Sequence, residues 1–111
     1  MAKRHKIRGP LPPGSTIGIL GSGQLARMLS AAASRLGLKT HIYADVPGSA
    51  SDVAAATTIA PYDDIAALDA FARAVDVVTY EFENVPDATA AELAKYAMVR
   101  PGPKALAVSQ D

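Results

Sequence analysis

The stretch Thr16-Ile-Gly-Ile-Leu-Gly-Ser-Gly-Gln-Leu-Ala-Arg-Met28 constrains this chain more than any other part of it. A short apolar run, residues 17–20, meets Gly21-Ser22-Gly23. Residues at helical spacing then follow: Leu25, Met28, Leu29, Ala32 and Leu36 on one face. This order predicts a strand, a tight turn and a helix, the opening of an α/β unit. Gly21 can adopt the backbone angles of the turn. Gly23 presents no side chain to a ligand approaching the first N–H groups of the helix, and Ala26 lets the helix lie close to the strand. A helix start carries unsatisfied N–H donors and a partial positive charge, which favour a polar or anionic group. By itself G-x-G-x-x-A fits a dinucleotide site, another nucleotide-like ligand or a plain tight βα turn.

The rest of the chain alternates in the same way. Gly37 stands where a helix would stop, and residues 39–44 (Lys-Thr-His-Ile-Tyr-Ala) are rich in β-formers. Residues 57–60 read as a third strand and 98–100 as a short fifth. The fourth, 76–82, carries adjacent Val77 and Val78, as expected of a strand buried on both faces. Residues 49–56 suit a short helix capped by Ser49 or Ser51. Ile65, Leu68, Phe71, Ala72 and Val75 recur at helical spacing, which predicts a helix over 64–74. A further helix spans 88–97, with Leu93 and Tyr96 inward. The expected fold class is α/β, a Rossmann-like parallel sheet with helices on both faces, over residues 16–103.

The ends read differently. Lys3, Arg4, His5, Lys6 and Arg8 precede Pro10, Pro12 and Pro13, so residues 1–15 read as a flexible basic, Pro-rich tail. A basic arm for an anionic partner is the sharper alternative. After Pro101-Gly-Pro103, residues 104–111 begin a helix pattern that stops at once. We read this as a chain cut short of a further domain.

Composition narrows the function classes. The chain has 111 residues, half of them hydrophobic, enough for one domain with a core; the abundance of alanine predicts closely packed helices. Eleven basic and eleven acidic residues balance, so bulk charge suggests neither a nucleic-acid nor a membrane partner. The absence of cysteine excludes disulfides and thiol catalysis. No apolar run approaches the roughly 20 residues of a membrane span. The basic start leads into Pro-Leu-Pro-Pro-Gly rather than an apolar core, which argues against a secretory signal. The expected location is cytoplasmic.

A second chemical stretch is Tyr80-Glu-Phe-Glu-Asn-Val-Pro86. Ligands of parallel α/β sheets bind outside the carboxyl ends of the strands, so this stretch should share a rim with residues 21–23. Glu81 and Glu83 are two apart and would share a face of a continued strand, with Phe82 turned to the core. Two such carboxylates can accept hydrogen bonds from an amine or ribose hydroxyls; without a third ligand they make a poor metal site. A solvated acidic loop before the next helix is the plainer alternative. Asp45, roughly 20 residues past the glycines, could bind a ribose hydroxyl in a dinucleotide fold, or simply cap the turn before Pro47-Gly48. His41 has no partner of metal-ligand spacing and reads as a packed strand residue.

Taken together, these stretches resemble a known family. Residues 17–28 resemble the opening of N(5)-carboxyaminoimidazole ribonucleotide synthase. Val77-Val-Thr-Tyr-Glu-Phe-Glu-Asn-Val-Pro86 and Arg100-Pro-Gly-Pro-Lys-Ala-Leu106 through Gln110-Asp111 resemble its next two landmarks, in the same order and at similar separations. The likeness runs over about residues 12–111. The family more often has glycine where this chain has Ser22 and Ala26.

The resemblance implies an ATP-grasp enzyme of purine biosynthesis, of which this part would be the Rossmann-like domain preceding the ATP-grasp domains. The family uses ATP and bicarbonate, through carboxyphosphate, to carboxylate the exocyclic amine of aminoimidazole ribonucleotide. Carried over by position, Gly21, Gly23, Gln24 and Leu25 would contact the ribonucleotide and Glu81 its amine or ring, with Glu83 a weaker candidate. ATP and Mg would be bound by domains beyond residue 111, so no catalytic residue falls here and the chain alone should be inactive. A homodimer stays open. Three rivals stand beside this reading: a formate-dependent glycinamide ribonucleotide transformylase domain, which usually has glutamate in place of Gln24; an NAD-binding half-domain using Asp45; and a non-catalytic fragment.

Overall fold

The computed structural model describes residues 12–80 and 85–100. Among the described residues five strands, β1 (Thr16–Leu20), β2 (Lys39–Ala44), β3 (Ala56–Ile59), β4 (Val77–Tyr80) and β5 (Met98–Val99), alternate with three helices. These are α1 (Gln24–Arg35), α2 (Ile65–Arg73) and α3 (Asp87–Ala94). The strands form one sheet in the order β3-β2-β1-β4-β5, and every pair is parallel. The expected α/β class and parallel sheet are what the chain adopts. β1 and β2 run over the expected residues. β3 begins one residue early, at Ala56, and is described to Ile59. β4 is described to Tyr80; the expected extension through Phe82 lies outside the described residues, as do positions 1–11 of the basic tail and the helix expected over 104–111. Ordered packing begins before residue 16: Ser15 is buried, and the Gly14 N–H donates to the Gly37 carbonyl at 2.8 Å.

Side chains alternate across the sheet and so divide the core in two. Ile17, Ile19, Ile42, Ala44 and Val77 face α1 on one side. Leu20, Tyr43 and Val78 face α2 and α3 on the other. The adjacent valines of β4 are thus both buried, one in each cluster, as the central position of that strand requires.

The face assigned to α1 needs correction. Leu25, Met28 and Leu36, expected to face the core, are 46%, 59% and 38% exposed. Ala26, Ser30 and Ala33 are the buried positions, with Leu29 packed beside them. Two stripes at helical spacing coexist on this helix, and period alone does not choose between them. A three-residue loop brings α1 down close to β1, and only the stripe of small side chains fits the narrow gap. α1 ends as expected at Gly37, with φ +78°. Leu38 N–H bonds the Ala33 carbonyl and Gly37 N–H that of Ser34, the paired bonds of a Schellman ending.

The other helices differ in detail: α3 ends at Ala94, three residues short of the expected end at 97. Residues 49–56 form only a short 3-10 turn, Ser49–Asp52, preceded by Gly48 and without a serine cap. Asp64 caps α2, accepting from the Ala67 N–H at 3.0 Å. His41 is half-buried, in contact with Thr58 Oγ1 at 2.7 Å and edge-on to Phe71, and burial holds its pKa below the ordinary value. It is a packed strand histidine. At the amino ends of β1 and β4, buried Asp76 accepts from the Thr16 N–H at 2.9 Å, while its own N–H donates to the Thr16 carbonyl at 2.8 Å.

Asp69 on α2 and Glu92 on α3 share a hydrogen bond. It is the main cause holding the Asp69 pKa above the ordinary value, with partial burial and Glu92's charge adding to it. The same bond, then that from Lys95, holds Glu92 below its ordinary value. A raised carboxyl favours the folded state fully below its unfolded pKa, and that contribution is lost as pH rises through the folded value. For Glu92 the sense is opposite: its contribution is present above the unfolded pKa and lost as pH falls through the lowered one. Asp69→Asn offers Glu92 a donor that needs no proton. The variant should melt at a higher temperature than the parent at pH 7 and lose that advantage toward about pH 4, near the unfolded carboxyl value. A difference that stays constant across that range would contradict the shared-proton account.

Candidate functional site

Strand order builds the candidate site. From β1 the chain crosses to β2 on one side; from β3 it returns past β1 to β4 on the other. The order reverses between β1 and β4, which opens a crevice at their carboxyl ends, the usual ligand position in such sheets. Leu20 and Tyr80 are register partners, so both strands end level at this crevice. Loop 21–23 and the start of α1 form one lip. The described part of β4 ends at the other lip with Tyr80. Glu81 and Glu83, the sequence candidates that follow, lie outside the described residues.

The glycine loop is held from below. Gly21 has φ +115°, a region where a side chain is strained, and its N–H donates to the Tyr43 carbonyl at 2.8 Å. Gly23 has φ −86° and ψ −161°, which any residue adopts. The conformational demand in this motif therefore falls on Gly21. Gly23 precedes the helix without a side-chain cap, and the first turn of α1 holds no acidic residue. Its positive end is thus not neutralised by its own side chains. Gln24 and Leu25 stand exposed on this first turn. A polar or anionic group in the crevice would meet backbone donors and one neutral amide.

Asp45 follows β2 and is exposed on the same rim. Residues 46–50 lie against loop 21–23: Ser22 Oγ donates to the Val46 carbonyl at 3.0 Å, and the Ala50 N–H to the Ser22 carbonyl at 3.0 Å. Arg27 Nη1 donates to the Ser49 carbonyl at 3.2 Å and lies 4.0 Å from Asp52. In the sequence Pro47-Gly48 reads as an ordinary turn, and this support is not visible there. The available signal was a second glycine close to the acidic residue after β2.

An apolar groove of about 350 Å³ opens elsewhere, between the starts of α2 and α3, lined by Tyr62, Ile65, Leu68, Pro86, Ala88 and Thr89. It shares no residue with the glycine loop. Among the described residues no group of three or more His, Cys, Asp or Glu side chains could hold a metal ion, and no helix is long and apolar enough to cross a membrane.

Comparison with known proteins gives a consistent picture. Residues 14–110 match the family model of the ribonucleotide synthetase preATP-grasp domain. The chain is 57% identical over 102 residues to a bifunctional purine synthesis protein of Dictyostelium discoideum, covering 91% of this chain and 10% of that protein. It is 54% identical over 102 residues to an N5-carboxyaminoimidazole ribonucleotide synthase of Brucella melitensis, covering 91% of this chain and 28% of the relative. A crystal structure of an N5-carboxyaminoimidazole ribonucleotide synthetase in complex with ADP superposes with TM-score 0.77 and 39% identity, over 84% of this chain and 25% of that one. The synthase of Aspergillus clavatus in complex with ADP and 5-aminoimidazole ribonucleotide gives TM-score 0.64 and 30% identity, over 85% and 26%. The chain therefore spans only about a quarter of the length of these synthases.

Proposed function

The chain belongs to the ribonucleotide synthetase preATP-grasp family, and from that premise we propose that it binds the ribonucleotide for an ATP-dependent carboxylating synthase of purine biosynthesis. The parent reaction would join bicarbonate, activated by ATP, to the exocyclic amine of aminoimidazole ribonucleotide. The observation that carries this reading is the crevice between β1 and β4 at the point where the strand order reverses, with a glycine lip whose backbone donors suit a polar nucleotide. Support comes from the relatives, which are synthases by name, one of them solved with that ribonucleotide and ADP.

In this reading Gly21 shapes the lip, and Gly23 leaves room for the ligand. Gln24 and Leu25 contact the ribonucleotide. Glu81 accepts a hydrogen bond from its amine or ring, with Glu83 in a lesser role. Such a bond would orient the neutral amine without removing its nucleophilic lone pair. ATP and Mg would be held by ATP-grasp domains outside this chain. The described residues offer no carboxylate cluster suited to Mg, so we assign them no step in bicarbonate activation. A homodimer and a cytoplasmic location complete the proposal.

Titration of the chain with aminoimidazole ribonucleotide and, separately, with NAD tests this reading. Heat of binding is expected with the ribonucleotide and none with NAD, and the chain should hydrolyse no ATP in the presence of bicarbonate and ribonucleotide. NAD binding that Asp45→Ala abolishes would replace this reading with the dinucleotide one. ATP turnover by the purified chain would overturn the assignment of catalysis to other domains.

A further inference from the structure

We propose that Ser22 and Gly48 form a clasp that fixes the glycine lip in its ligand-binding shape, making the loop after β2 part of the substrate-positioning machinery. This inference rests on the ribonucleotide reading of the site. Gly48 is extended, with φ −152° and ψ −172°, so no backbone demand explains a glycine there. Space does. A Cβ at Gly48 would strike the Ser22 carbonyl oxygen and lie 2.6 Å from its Oγ and 2.9 Å from its carbonyl carbon. The obstacle is mainly backbone, which cannot swing aside as the tip of a long side chain can. Glycine at 48 is what allows the two loops to touch.

Once in contact, the loops are tied at several points. The Ser22 carbonyl accepts from Ala50, and the Ser22 hydroxyl donates to the carbonyl of Val46. One residue is thus held by its backbone and its side chain together. Gly21 N–H adds a bond to Tyr43, and Arg27, one turn into α1, reaches the Ser49 carbonyl. All four ties run to residues 43–50, from the end of β2 to the start of the 3-10 turn. They matter because α1 has no side-chain cap to fix its first turn. A lip of backbone donors binds well only if its shape is set beforehand, since ordering it on binding would consume affinity. Ser22 and Gly48 are therefore positioning residues: they act through the lip and need not touch the ligand.

Two measurements on the chain test this. Ser22→Ala deletes one hydrogen bond and leaves the space unchanged. It should speed amide hydrogen exchange at Ala50 and across residues 22–25, and weaken aminoimidazole ribonucleotide binding about fivefold, the value of one ordinary hydrogen bond, with a fall of no more than a few degrees in melting temperature. Ser22→Thr, which keeps the hydroxyl, should restore both. Gly48→Ala should weaken binding by about tenfold or more, because the loops must part. Unchanged exchange at residues 22–25 and 50 in Ser22→Ala would overturn the clasp, whatever the ligand result. Faster exchange with undiminished affinity would overturn its positioning role. A parent chain that binds no ribonucleotide would instead defeat the proposed function, and the exchange measurement alone would still decide whether the clasp exists.

Discussion

Replacing Phe71 with alanine should lower the unfolding free energy by about 3–5 kcal/mol, a large part of what a domain of this size has to lose. Phe71 is 1% exposed and sits at the centre of the core beneath α2 and α3. Its ring meets His41 edge-on at 5.1 Å between centroids and Tyr43 at 5.3 Å. It also lies directly on the backbone of β1, since a Cβ at Gly18 would come within 2.6 Å of Phe71 Cζ. Truncation would open a cavity floored by the Gly18 backbone, where no β1 side chain stands ready to fill it. A sheet held in register by parallel strands can collapse little into such a space. Urea denaturation gives the measurement. A loss below about 1 kcal/mol would mean that the site repacks and that the ring is not the keystone of this cluster.

The second large effect concerns chemistry. With this domain joined to the rest of a full-length synthase, Glu81→Gln should cut kcat/KM roughly 10- to 100-fold, and Glu83→Gln distinctly less. The exchange keeps shape and removes the charge that would strengthen the proposed hydrogen bond to the substrate. Hydrogen bonds to charged groups contribute about 1.5–3 kcal/mol, which sets the range. Glu81 is the position that the family resemblance assigns to the substrate contact, with Glu83 the weaker candidate. Equal losses for the two variants would remove the reason for distinguishing them.

Most of the secondary structure was legible in the residues, because it depends on local rules. Alternating short apolar runs and helical spacing are properties of neighbours in sequence. The positive φ of Gly21 and of Gly37 also belongs to its own turn. For the same reason Asp64 could be read as the start of α2 and Val77 and Val78 as a doubly buried strand. The glycine motif marked one lip of the candidate site without any knowledge of the fold.

Three matters required the tertiary structure. Which stripe of α1 is buried depends on how near the sheet lies: a short loop forces close approach, and alanine and serine fit where Leu25 and Met28 would not. That β4 stands next to β1, so that Leu20 and Tyr80 end level at one crevice, follows from strand order, and local pattern carries no information about order. The role of Gly48 is the clearest case. Its backbone is ordinary, and only the proximity of Ser22 across the rim reveals that a side chain there would have no room. Conformational preference is a property of one residue and its neighbours and can be read along the chain. Available space is set by whatever else folding brings near, and that became known only when the strands were assembled.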